Sequence, residues 1–173
     1  MAEFDRDARR DYMTVQDLHQ PPLPEWAERL TWAGVLPFVG ALAAWVYGGL
    51  SNDAWLMAVA LKAFSLYSAV ILSFLGGIRW GRAMGCGGPG PAYVLAVLPS
   101  LWAFPALFLP PLYALTSLAM GFGLALWFDT RADTLPATPG FRRLRMAIST
   151  AVIASHGVAL LLLGRFGVGS LAA

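Results

Sequence analysis

Few side chains in this sequence can hold a charge or move a proton away from water, and those few fall into two groups. Lys62 and His156 lie inside long apolar runs. Lys62 is eight residues beyond Ala54, where one run begins, and His156 is eight residues before Gly164, where another closes. If the two runs cross a membrane in opposite senses, both side chains sit roughly 12 Å from the same surface, at 1.5 Å per residue. Ser65 and Ser155 would stand beside them. Such a cluster suits a proton relay or an anion or headgroup site, because ionisable groups inside a bilayer are costly and turn toward the bundle interior or water. The plainer alternative has Lys62 snorkelling outward toward Asp53 and His156 bonded to a neighbouring helix.

The second group is Arg79, Trp80, Asp129 and Arg145. Arg79 ends one apolar run, Asp129 ends another and Arg145 opens the next. All three charges fall at one depth. An Arg–Asp pair would pin helix ends together, and spare guanidinium donors could hold a lipid phosphate. The plainer alternative is a set of surface arginines resting on headgroups. Beyond these groups no motif carries recognised chemistry. Cys86 is the single cysteine, which excludes an intrachain disulfide or a cysteine metal cluster. Its surroundings, MGCGGPGP, lack the Gly-Lys-Ser/Thr of a phosphate loop, and neither HExxH nor GxSxG occurs. Acylation of Cys86 is chemically open; an inert thiol is the simpler expectation. No catalytic residue, metal site or cofactor is expected.

These residues need elements to hold them, and composition says which. Of 173 residues, 58% are hydrophobic and 13% charged, where a soluble domain is about a quarter charged. Mean hydropathy is +0.61. A spanning helix takes about 20 mostly apolar residues. The expected fold is therefore all-α, a polytopic bundle of five transmembrane helices with short loops. The spans fall at about 30–50, 54–78, 92–109, 112–128 and 146–164. Pro37 should kink the first, and Pro99 and Pro105 should distort the third. Residues 79–91 read as an irregular Gly/Pro-rich loop and 129–145 as a polar one. Trp26, Trp32, Trp45 and Tyr47 read as interfacial anchors of the first span.

Small residues recur every fourth position in several spans. The longest series is Ser65, Ala69, Ser73, Gly77, the expected packing face of the second helix, with Ile71, Phe74 and Ile78 toward lipid. Shorter series are Gly40, Ala44, Gly48; Ser117, Gly121, Ala125, which points toward Asp129; and Ala147, Ala151, Ser155, Ala159.

Residues 1–29 hold four basic against seven acidic side chains, unlike a secretory signal or a transit peptide. They are expected to form a retained cytoplasmic tail; residues 165–173 form a short second tail. The basic residues divide ten to one between the two sides implied by five spans, with Lys62 inside a helix. That puts the N-terminus in the cytoplasm and the C-terminus in the periplasm. The net charge of +2 implies no nucleic-acid partner. The expected partners are the lipid bilayer and another membrane protein or complex.

The stretch YSAVILSFLGGIRWG, at residues 67–81, resembles the signature of the domain of unknown function 3429 family. Its softer extensions are LPFVGALAAW, LWFDTRAD and FRRLRMAIST. The likeness covers most of residues 30–163. The signature positions are Tyr67, Ser73, Phe74, Gly76, Gly77, Arg79, Trp80, Gly81, Asp129 and Arg145. The resemblance implies a polytopic helical protein of a bacterial or mitochondrial inner membrane and brings no activity with it. The tryptophan-rich sensory protein family has a similar size and span number, but its Trp-Pro-rich motifs are missing here. The functional expectation is a non-enzymatic accessory, assembly or scaffold protein of the bacterial inner membrane. The alternative is a carrier or ligand- or lipid-binding protein using the Lys62–His156 cluster, and an enzyme acting on lipid or quinone ranks last.

Overall fold

A computed structural model describes residues 25–131 and 139–166, and these form only helices and short turns. Most of the tail, residues 1–24, together with 132–138 and 167–173, lies outside the described residues. The helices are α1 (Glu25–Ala33), α2 (Leu36–Ser51), α3 (Ala54–Gly85), α4 (Gly90–Ala106), α5 (Pro111–Arg131) and α6 (Pro139–Phe166). Four stretches are long and apolar enough to cross a membrane: Glu25–Ser51, Ala54–Gly85, Pro111–Thr130 and Arg143–Phe166. α4 is apolar but shorter, with 17 residues, near the lower limit for a span. The chain is thus an all-α membrane bundle with five crossings.

α3 is the centre of the bundle. It packs against α2 and α4 on its two sides and against α5 as well, while α6 closes the ring by packing on α5 and α2. Asp53 starts α3 by accepting a hydrogen bond from Leu56 N at 2.9 Å, the usual N-cap arrangement. Phe38, Trp45, Phe64, Leu72, Leu115, Leu118 and Phe122 fill the core.

The first span, Glu25–Ser51, is interrupted just before Pro37. It breaks at Gly34–Val35, and Pro37 lies in the first turn of α2, where its missing N–H costs nothing. Tyr67 of α3 donates to the Gly34 carbonyl at 2.9 Å, so the break is satisfied by the central helix. Trp45 is buried instead of anchoring at the surface, while Tyr47 is exposed. Two residues turn a helix by about 200°, so both could not face lipid.

α3 also runs on past Gly76 and Gly77 and seven residues beyond its expected end at 78, through Arg79 and Trp80 to Gly85. The expected loop 79–91 shrinks accordingly to four residues, 86–89. The glycines do not end the helix because α4 lies directly on Gly76. A Cβ there would collide with the Ala96 carbonyl oxygen. Packing at that point outweighs a cost of about 1 kcal/mol for a helical glycine. α5 and α6 similarly extend into the expected loop 129–145.

The packing series on α3 needs correction. Ser65 and Ala69 are buried, Ser73 is half-buried and Gly77 is exposed, with nothing near the site of a Cβ. Each four-residue step advances about 40° beyond a full turn, so twelve residues carry the series about 120° around the helix. Gly76, eleven residues from Ser65, is only about 20° off and stays inside. Gly121 of α5 makes the matching approach: a Cβ there would lie 2.6 Å from Leu72 Cδ2 and 3.0 Å from Trp102 Cδ1.

Candidate functional site

α3, α5 and α6 converge at the end of the bundle that carries most of the arginines. Asp129 lies one four-residue step beyond Ala125, which itself follows Gly121, so the carboxylate belongs to the buried side of α5. It is 6% exposed. Arg79 donates to its Oδ1 from Nε at 3.1 Å and from Nη2 at 2.6 Å, and Nη2 also reaches the Ala125 carbonyl at 2.7 Å. Arg145 donates to Oδ2 from Nε at 2.9 Å and from Nη2 at 2.7 Å. Each carboxylate oxygen thus receives two N–H groups from a different helix. The arginine side chains are 17% and 14% exposed. One carboxylate between two guanidinium groups leaves the cluster with one net positive charge.

Such a site can brace helices. It offers no proton acceptor, since both Asp129 oxygens are engaged and arginine stays protonated. Trp80 stands next to Arg79 in sequence but outside the cluster. It is exposed and meets Tyr93 of α4 edge-on at 5.1 Å between ring centres. The structure brings Arg79, Asp129 and Arg145 together, while Trp80 belongs to the rim.

Lys62, Ser65, Ser155 and His156 do not form one cavity. His156 is wholly buried, its ring 4.9 Å from Phe64, 5.4 Å from Phe122 and 6.1 Å from Phe38. Its Nδ1 lies 2.8 Å from the Val152 carbonyl oxygen. A carbonyl only accepts, so Nδ1 carries the proton. Nε2 is buried with no partner among the described residues. Lys62 is exposed on the outer face of α3. Phe64 faces His156, and Lys62 comes two residues earlier, about 200° around the helix. The two side chains therefore face different ways. Ser65 and Ser155 are buried but turn back to their own helices, donating to the Leu61 carbonyl at 3.0 Å and the Val152 carbonyl at 2.6 Å.

Sequence reasoning missed three features: the aromatic box around His156, the Ala125 carbonyl as an acceptor, and the close approaches at Gly76 and Gly121. Only the Gly121–Ala125–Asp129 spacing signalled any of them. Among the described residues no group of three His, Cys, Asp or Glu side chains is placed to hold a metal ion.

The family described as "Protein of unknown function (DUF3429)" has a model that matches residues 23–161. The chain belongs to the DUF3429 family. The match takes in α1 through most of α6, including Arg79, Asp129, Arg145 and His156. Transmembrane protein 69 of Xenopus tropicalis is 34% identical to this DUF3429 chain over 151 residues, covering 83% of this chain and 54% of that protein. The chain therefore spans about half the length of this curated relative. No solved structure matches it.

Proposed function

We propose that this DUF3429 protein is a non-enzymatic scaffold or assembly factor of a bacterial inner membrane, with its N-terminus in the cytoplasm and its C-terminus in the periplasm. The observation that carries the reading is the use made of buried charge. Asp129, Arg145 and the Nε and Nη2 groups of Arg79 hold α3, α5 and α6 to one another, which is what a rigid platform requires. The carrier alternative depended on Lys62 and His156 sharing a cavity, and they face different ways. The orientation is supported by the excess of arginines at the Asp129 end.

A scaffold needs a face for its partner. Gly77 and Gly81 lie one turn apart on the outer side of α3, both exposed and both with open space where a Cβ would stand. A small-xxx-small pair of this kind lets a second helix approach closely in lipid. Purification of the full chain from its own membrane in mild detergent should give a complex of fixed stoichiometry with another membrane protein. Replacing Gly77 and Gly81 with Leu should release that protein without unfolding the bundle. A chain that purifies alone and monomeric contradicts the proposal, as do tags at the two termini reporting the same compartment.

A further inference from the structure

A cavity of about 370 Å³ opens between α3, α4 and α5 at the arginine-rich end. That volume lies within the range of small-molecule sites. Its floor is built by the end of α3. Arg79 and Arg82 are three residues apart and share a helix face. Beyond them the helix ends at Gly85, and Gly87, with a φ of +61° that suits glycine, follows the C-cap Cys86. Gly88 N then donates back to the Ala83 carbonyl at 2.7 Å, a Schellman closure. The loop lies so tightly on α3 that a Cβ on Gly88 would sit 3.2 Å from Ala83. Tyr93 of α4 donates to the same Ala83 carbonyl at 3.2 Å, which fixes the opposite wall. Ala92, Leu95 and Phe128 make the rest of the lining apolar.

One polar group in this cavity lacks its complement. Arg82 Nη1 is buried and has no acceptor among the described residues. Guanidinium does not deprotonate in proteins, and buried donors are almost always bonded. The nearby carboxylate, Asp129, cannot serve, because Arg79 and Arg145 occupy both its oxygens. Arg79 also lines the cavity, and its Nη1 amino group lies outside the bonds it makes to Asp129 and Ala125. An anion is therefore the missing partner. The apolar walls call for a molecule with hydrocarbon beside its charge. The exposed Trp80 and Trp127 at this end suit the level where headgroups lie. Arginine pairs best with planar or tetrahedral oxyanions that accept two bonds at once.

We infer that the Arg79–Arg82 cavity binds the phosphate of a membrane phospholipid, with the lipid's glycerol and upper chain against Ala92, Leu95 and Phe128. This site is separate from the Gly77–Gly81 face, and its loss would leave the scaffold reading standing.

The test uses the full chain, delipidated in detergent and examined by native mass spectrometry. The added probes are phosphatidylglycerol, a diacylglycerol of the same acyl chains, and inorganic phosphate. One phosphatidylglycerol should bind and diacylglycerol should not. Arg82→Gln should weaken that adduct by about tenfold or more, the loss of a charge-assisted bond. Ala92→Phe keeps both arginines, fills the apolar wall, and should weaken it as well. Helix content and monodispersity are checked for both variants; if one fails to fold, the other variant and the wild-type comparison decide. Diacylglycerol binding as well as phosphatidylglycerol overturns the inference. So does displacement of the lipid by inorganic phosphate at equal concentration, a phosphatidylglycerol adduct unaffected by the substitutions, or no adduct at all.

Discussion

Asp129 and His156 are both buried polar side chains in this bundle, and they are satisfied in opposite ways. Asp129 takes four N–H groups from two other helices. His156 bonds its own helix through Nδ1, its ring lies among three phenylalanines, and its buried Nε2 has no partner among the described residues. The first arrangement holds separate elements together. The second contributes shape, since a bond to the carbonyl one turn back would form in the isolated helix too. In a membrane this distinction matters, because apolar surface alone does not favour helix–helix contact over helix–lipid contact. Long-range polar bonds and close backbone approaches must supply what water supplies elsewhere.

Removing the polar atoms at each place should sharpen the contrast. Asp129→Ala strands two guanidinium groups and should cost about 3–5 kcal/mol, read as a large fall in thermal midpoint in detergent. A fall no larger than that of a surface substitution would break the comparison. Gly76→Leu forces a side chain into the Ala96 carbonyl and should cost about 1–3 kcal/mol by overpacking, with α3 and α4 losing protection from hydrogen exchange together. His156→Phe keeps an aromatic ring of similar size and discards the unpartnered Nε2, so stability should change by less than about 1 kcal/mol in either direction. Lys62→Met should have the smallest effect, within about 0.5 kcal/mol, as for other exposed positions. A large loss from either of these last two variants would mean that the middle of the bundle carries polar couplings of its own.

Depth was legible in the sequence and direction was not. Counting residues from the ends of apolar runs puts Arg79, Asp129 and Arg145 at one level, and Lys62 and His156 at another. Whether residues at one level meet depends on how each helix is rotated, and that is fixed by packing partners far away in sequence. Gly121, Ala125 and Asp129 could be followed because α5 keeps a single buried side over that length. On α3 the series from Ser65 to Gly77 rotates out of the bundle, while Gly76, one residue earlier, meets α4. The end of α3 was misplaced for a related reason. Gly-Gly followed by a charged residue looks like a boundary locally, but α4 and Asp129 both hold the helix past it. The five apolar segments were legible because span length and hydropathy are properties of the chain itself.

Asp129 works as a joint between helices, and a double-mutant cycle of Asp129→Ala with Arg145→Ala measures the joint directly. If the joint exists, Arg145→Ala is strongly destabilising in the native protein and nearly neutral or stabilising once Asp129 is gone, a coupling of about 2 kcal/mol or more. If the two losses simply add, Asp129 and Arg145 are neighbours without being partners, and the account of how this bundle is held together is wrong.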